Sequence, residues 1–254
     1  MFSLVDFVES KIRNVQDLSY LDGFDQDWNP MKVQYKSLGT HLHLLEAYTR
    51  FLEVTDDLIY KRSVEQLIEI ILSRFINSRH TEVFHQFNKK WELQPNEIWI
   101  GHNLETGWIV YNSACLIRNK DLIEKSKIAL TDLCDNAIEK AFDTRYGGMF
   151  NRFIQNNLIS SNKEWWPQAE SVLALMTAYY VTHNKKFLSY AIRLLEYIDN
   201  TFSDARRGEW FDTVTREGQP VRDQPKLHLW KSMYHNVRYC YQTVRHLEQL
   251  FVRV

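Results

Sequence analysis

Cysteine is scarce in this chain. There are three in 254 residues, Cys115, Cys134 and Cys240, widely separated and without the close spacing of metal ligands. That pattern argues against a disulfide framework and fits reduced thiols inside a cytoplasmic protein. A surplus of either charge is lacking too. With 31 Lys and Arg against 32 Asp and Glu, the net charge is −1. Such a balance offers no electrostatic grip on nucleic acid or an anionic membrane. No apolar run approaches the ~20 residues that cross a bilayer. The first residues, Met1 to Lys11, set Asp6 and Glu9 within their apolar stretch and show no small-residue cleavage site, so no signal peptide is predicted.

Aromatic residues, by contrast, are abundant, at 14% with 8 Trp. Several stand beside polar groups rather than inside aliphatic runs: Trp91, Trp99, Trp108, Trp165, Trp166, Trp210 and Trp230. Indole faces stack on the C–H faces of sugar rings, so this clustering points toward a carbohydrate site.

Helical periodicity organises the chain. Residues 57–76 place Leu58, Val64, Leu67, Ile68, Ile71, Leu72 and Phe75 on one stripe. Residues 121–142 repeat the pattern with Leu122, Ile128, Leu133, Ala137, Ile138 and Phe142, and 186–203 with Phe187, Leu188, Ala191, Ile192, Leu194, Leu195, Ile198 and Phe202. Between these one-sided helices lie segments of another character, about 39–54, 101–118, 164–183 and 231–251. They are rich in aromatic and small residues and polar at their N-terminal ends, as expected of inner helices with one end facing a cavity. A short helix at 2–13 precedes them, and Thr213–Val221 reads as a β-hairpin. Alternating inner and outer helices with a period of ~60 residues predict an all-α (α/α)6 toroid, or barrel, with short β-hairpins in its loops. About eight of the twelve helices of such a ring are counted, so residues 1–254 are expected to form one domain, two-thirds of a barrel.

The chemistry-bearing groups cluster at the starts of the inner helices. His102, Glu105 and Trp108 stand three apart on one helical face, and His43 and Glu46 repeat the His–Glu spacing. Trp166 and Glu170 are four apart, and Trp230 precedes His235. Glu105, Glu170 and His235 are separated by one constant interval. Each group alone has an ordinary structural explanation, a surface pair or a satisfied core carboxylate. Their conjunction points to a shared site. A metal site lacks a third convincing ligand set. Glu105 and Glu170 could serve a glycoside hydrolase, which leaves His43, His102 and His235 without a role. Imidazoles titrating near neutrality suit proton transfer at carbon, and a neighbouring carboxylate holds the ring's tautomer.

At four places the chain resembles the N-acylglucosamine 2-epimerase superfamily, most closely its cellobiose 2-epimerase branch: Thr40–Tyr48 (THLHLLEAY), Gly101–Trp108 (GHNLETGW), Trp165–Glu170 (WWPQAE) and Trp230–Asn236 (WKSMYHN). The resemblance covers nearly the whole chain. It implies inversion at C2 of a reducing-end aldose without cofactor or metal, through a cis-enediolate, with His102 and His235 as the two bases. It further implies that His43 hydrogen-bonds the open-chain oxygens, that Glu105 and Glu170 orient the histidines, and that Trp108, Trp166 and Trp230 shape the sugar subsites. An N-acylglucosamine 2-epimerase, or an inactive truncated remnant of such an enzyme, are the alternatives.

The departures from the family pattern are Gly39 for an Asn, Asn103 for an Asp, and the lack of a counterpart to the family's N-terminal helices and their enediolate-stabilising arginine. Helices without those neighbours should expose an apolar face. A second copy of the chain or an N-terminal partner chain would cover that face, beside a small-molecule sugar as substrate.

Overall fold

The computed structural model describes residues 4–55, 57–95 and 97–252, with the side chains of 249–252 left aside. The chain divides into two compact units. The first holds Met1–Ser78, Glu82–Glu97 and Ile109–Ser126, the second Arg79–Thr81, Ile98–Trp108 and Lys127–Val254.

In the first unit, α1 (Leu4–Lys11) leads through β1 (Asp22–Phe24) and β2 (Pro30–Ser37) into α2 (Leu38–Thr55). After α3 (Leu58–Ile70), a π-helical turn at Ile71–Phe75 and β3 (Gln86–Asn88) complete an antiparallel sheet in the order β1-β2-β3. Asp57 caps α3 by accepting from the Ile59 amide at 2.8 Å. Leu42, Leu45, Tyr48 and Leu52 form the buried stripe of α2, and Val64, Leu67, Ile68, Ile71 and Phe75 that of α3 and its π turn. The expected stripe needs one correction, for Leu58, in the first turn of α3, is 68% exposed.

The second unit carries β4 (Ile98–Trp99), the first half of α4 (Ile100–Ile117) and most of α5 (Lys120–Ala141). β5 (Arg152–Ile154) and β6 (Asn157–Leu158) extend β4 into an antiparallel sheet, and β7 (Lys163–Glu164) pairs with β8 (Thr213–Val214). Between and after them come α6 (Trp165–Thr182), α7 (Lys185–Thr201) and α8 (Tyr234–Val252). Every residue of α6 from Trp165 to Ala178 is buried, as anticipated for an inner helix. Asn184 caps α7 by accepting from the Lys186 amide at 3.0 Å. Phe187, Ala191, Leu194, Tyr197 and Ile198 face inward along it. Ile128 of α5 and Ile192 of α7, both expected in the outer stripes, are nearly half exposed. Hydrogen bonds between Thr215 and Gln219, and between Val221 and Thr213, close the anticipated hairpin.

The repeat is written most plainly in the loops. An antiparallel bridge closes the turn after each outer helix: Arg13 with Tyr20, Ile76 with Val83, Phe142 with Met149, and Ser203 with Trp210. Lysines just ahead of the inner helices, buried rather than solvated, reach back to these turns. Lys36 pairs with Asp17, and Lys163 with Asp143 at 3.0 Å while also donating to the Arg216 carbonyl at 2.9 Å. Lys231 donates to the Trp210 carbonyl. Gln168 exchanges two hydrogen bonds with the Met149 backbone, at 2.8 and 2.9 Å, pinning the first turns of α6 to its loop.

α8 differs from α6. It starts at Tyr234, not 231, and turns Tyr234, Val237, Tyr241 and Val244 outward as an exposed apolar stripe. None of the helices described is long and apolar enough to cross a membrane.

Burial would raise the Asp143 carboxyl, but Arg216 and Lys163 outweigh it and hold the group well below the usual carboxylate range. Its contribution is therefore present at neutral pH and lost as the carboxyl protonates in acid. Asp143→Ala strands the Lys163 ammonium and is expected to cost about 3 kcal/mol at pH 7. A Lys163→Met, Asp143→Ala double variant should recover much of that loss in urea denaturation.

Candidate active site

A four-residue cluster gathers at the N-terminal ends of α4, α6 and α8, all within the second unit. Glu105 and Glu170 are buried on α4 and α6, and Arg238 lies almost buried on α8 between them. One guanidinium nitrogen, Nη2, donates to Glu105 Oε1 at 2.5 Å and to Glu170 Oε1 at 2.7 Å. His235, one helical turn before Arg238, shares Glu170 Oε1 through its Nδ1 at 2.7 Å. The other Glu170 oxygen accepts from Trp108 Nε1 at 2.9 Å. The guanidinium also lies over the rings of Trp108 and Tyr234, at 5.0 and 4.2 Å from their centroids.

A single cation between two buried carboxylates forces them apart in acidity. For Glu105, burial and then the neighbouring charge of Glu170 push the pKa up. For Glu170, burial acts in the same upward sense, but Arg238 and the His235 hydrogen bond outweigh it and bring the carboxyl down to about 2. Glu170 is thus the anion of the pair, and Glu105 holds its proton to higher pH. With Glu170 as acceptor, His235 donates from Nδ1, the arrangement that in the neutral tautomer puts the lone pair on Nε2.

Trp166 joins the two histidines of the sequence motifs. Its ring lies 4.9 Å from His102 and 5.5 Å from His235, centroid to centroid. His102 is also stacked on Trp99, at 5.1 Å and 6°, and the two indoles lie 6.3 Å apart. This approach needs a bare backbone at Gly101, where a β-carbon would fall 2.3 Å from the Trp166 ring. Trp165 adds an edge toward His235 at 6.2 Å.

The predicted residues are thereby distributed unevenly. His102, Glu105, Trp108, Trp166, Glu170 and His235 come together. Trp230 lies on the segment ahead of α8 with its side chain 81% exposed. His43 belongs to the first unit, its Nδ1 3.7 Å from Glu46 and its side chain 57% exposed. Its neighbour His41 is buried, accepting from the Tyr20 amide at 3.1 Å and facing the Ser37 carbonyl at 2.7 Å. Arg238 and Trp99 are absent from the sequence-based site. Arg238 stands three residues beyond His235 on one helix, a spacing that puts the two side chains on one face.

Glu105, Glu170 and His235 present ligand atoms within 4.8 Å of one another, close enough for a metal ion. The Arg238 guanidinium already supplies a positive charge to both carboxylates, so a metal would have to displace it.

Removing the charge of Glu170 leaves Arg238 buried beside a neutral neighbour and gives His235 an uncharged amide oxygen in place of a carboxylate. Glu170→Gln is expected to cost about 3 kcal/mol at pH 7. Because its folded pKa is depressed, the wild-type advantage is full above the ordinary carboxylate range and fades as pH falls toward 2. Denaturation of both forms across that range checks this.

Comparison with known proteins shows the family of the chain. A family model described as N-acylglucosamine 2-epimerase (GlcNAc 2-epimerase) matches residues 1–238. The cellobiose 2-epimerase of Dictyoglomus turgidum is 29% identical over 241 residues, which cover 91% of this chain and 61% of the relative. That of Bacteroides fragilis is 27% identical over 87% of this chain and 58% of its own length. The cellobiose 2-epimerase structure from Bacillus thermoamylovorans superposes with a TM-score of 0.86 at 25% identity, over 95% of this chain and 64% of that one. The chain therefore spans about three fifths of the length of these curated relatives. It belongs to the N-acylglucosamine 2-epimerase family.

Proposed function

We propose that this chain carries the catalytic groups of a carbohydrate 2-epimerase on part of an (α/α)6 barrel, inverting C2 of a reducing-end aldose. The observation that carries the reading is the placement of His102 and His235 against one indole, Trp166, with His235 bound through Nδ1 to the Glu170 carboxylate. Epimerisation at carbon needs a proton removed from one face and returned to the other. Two imidazoles beside an aromatic platform for the sugar supply both carriers. In the opened aldose, one histidine, entering as the neutral base, takes the C2 proton, the electrons pass into a cis-enediolate, and the second histidine, entering as imidazolium, gives its proton to the opposite face.

Glu170 stabilises the imidazolium that His235 becomes, and Arg238 keeps Glu170 anionic for that purpose. The same geometry weighs against glycoside hydrolysis. An acid and base flanking a glycosidic bond must each reach the substrate, whereas both carboxylates here are tied to Arg238. The names of the relatives point to a β-linked glucose disaccharide, cellobiose, as the first substrate to try. The free cysteines and balanced charge suit a cytoplasmic setting.

Incubation with cellobiose in D2O tests the reading by NMR. The 2-epimer should form with deuterium at C2, and His102→Ala and His235→Ala should each slow exchange by ~10²–10⁴-fold. No exchange at high enzyme concentration would sink the activity, and unchanged exchange in both variants would sink the roles.

A further inference from the structure

The turn after α7 carries Glu209 where its counterpart after α5 has Gly148, and Glu209 grips the start of α8. The two turns match bond for bond. Asp143 N–H donates to the Gly148 carbonyl at 2.9 Å and Gly147 N–H to the Asp143 carbonyl at 2.8 Å. Asp204 N–H donates to Glu209 at 3.0 Å and Gly208 N–H to Asp204 at 2.8 Å. In both, the Asp carboxylate accepts from amides two and three residues on. Both end on two successive left-handed residues, Gly147 and Gly148 at φ 78° and 77°, then Gly208 and Glu209 at φ 70° and 62°.

At Gly148 a side chain is shut out, since a β-carbon would meet the Tyr197 ring at 2.4 Å. At 209 an L-residue occupies the conformation that glycine adopts freely. Backbone strain of this kind persists where the side chain has work to do.

The side chain reaches α8. Glu209 Oε1 accepts from Asn236 Nδ2 at 2.7 Å and lies 3.5 Å from the buried Lys231 Nζ. Asn236 directly follows His235, and Lys231 opens the segment leading into the helix. The same segment is tied down by Lys226 to Asp204 and by His228 to Asp212 at 2.8 Å. Glu209 adds a tie to the first turn of α8, beside the bond from His235 to Glu170.

The geometry points to Glu209 as a positioning residue, which sets the first turn of α8 so that the His235 ring meets Glu170. Its catalytic consequence rests on the epimerase reading above; its structural consequence does not. Glu209 touches neither His235 nor any group that would reach the sugar, so its effect passes through Asn236 and the helix.

Three variants test this in the full chain. Glu209→Gly relaxes the backbone and removes the grip. Glu209→Asn keeps a residue tolerant of the left-handed region, with a side chain too short to reach Asn236. Glu209→Gln retains an oxygen that accepts from Asn236. The first readout is the hydrogen-bonded Nδ1 proton of His235, assigned by its loss in His235→Ala. It should broaden or vanish in the Gly and Asn variants and persist in Gln, while thermal midpoints stay within a few degrees of wild type. The second is turnover of cellobiose, where kcat should fall by at least ~10-fold in Gly and Asn with KM changed less than twofold, and recover in Gln. An undisturbed Nδ1 resonance in both Gly and Asn overturns the proposal. Should the wild type fail to turn over sugar, the epimerase reading falls while the resonance still decides the role of Glu209.

Discussion

Two carboxylates buried around one guanidinium set the terms for the second unit. Neither Glu105 nor Glu170 could be taken out of water alone. Arg238 makes the burial tolerable and, by standing between them, links α4, α6 and α8 at their N-terminal ends. The cost of desolvating these groups is recovered only in good geometry, so the helices must keep their register there. Gly101 and the wholly buried first turns of α6 answer the same demand, since both allow close approach around Trp166. The structural frame and the chemical site are one arrangement.

The αα-hairpin repeat was legible because it is periodic twice over. Apolar stripes mark the outer helices, and polar-aromatic first turns mark the inner ones. Helix boundaries fell close to their expected places, except that α8 starts three residues late, because Lys231 is drawn into the preceding turn. The site was legible where several motifs agreed, at His102, Glu105, Trp108, Trp166, Glu170 and His235. What stayed hidden depends on long-range partners. Arg238 reads as an ordinary helical arginine until two carboxylates from distant segments meet it. Lys36, Lys163 and Lys231 read as surface lysines until the turns they bind fold beneath them. Trp230 shows the reverse, an aromatic beside a motif whose side chain faces outward.

The turns also show how a repeat becomes specialised. The same hydrogen-bond frame closes after α5 and after α7, so each hairpin inherits its geometry from local sequence. Differences between copies are then free to carry other duties. Lys163 with Asp143 and Arg216 supports β7 and the start of α6, whereas the corresponding turn after α7 engages α8.

The arrangement around Arg238 has an electrical consequence. Arg238 is held against both carboxylates at once, and the two are set apart in acidity, Glu105 upward and Glu170 downward. On the proposed chemistry, proton abstraction creates an imidazolium and an enediolate together, and a second histidine that starts as imidazolium ends neutral, so each inversion carries a positive charge from one face of the sugar to the other.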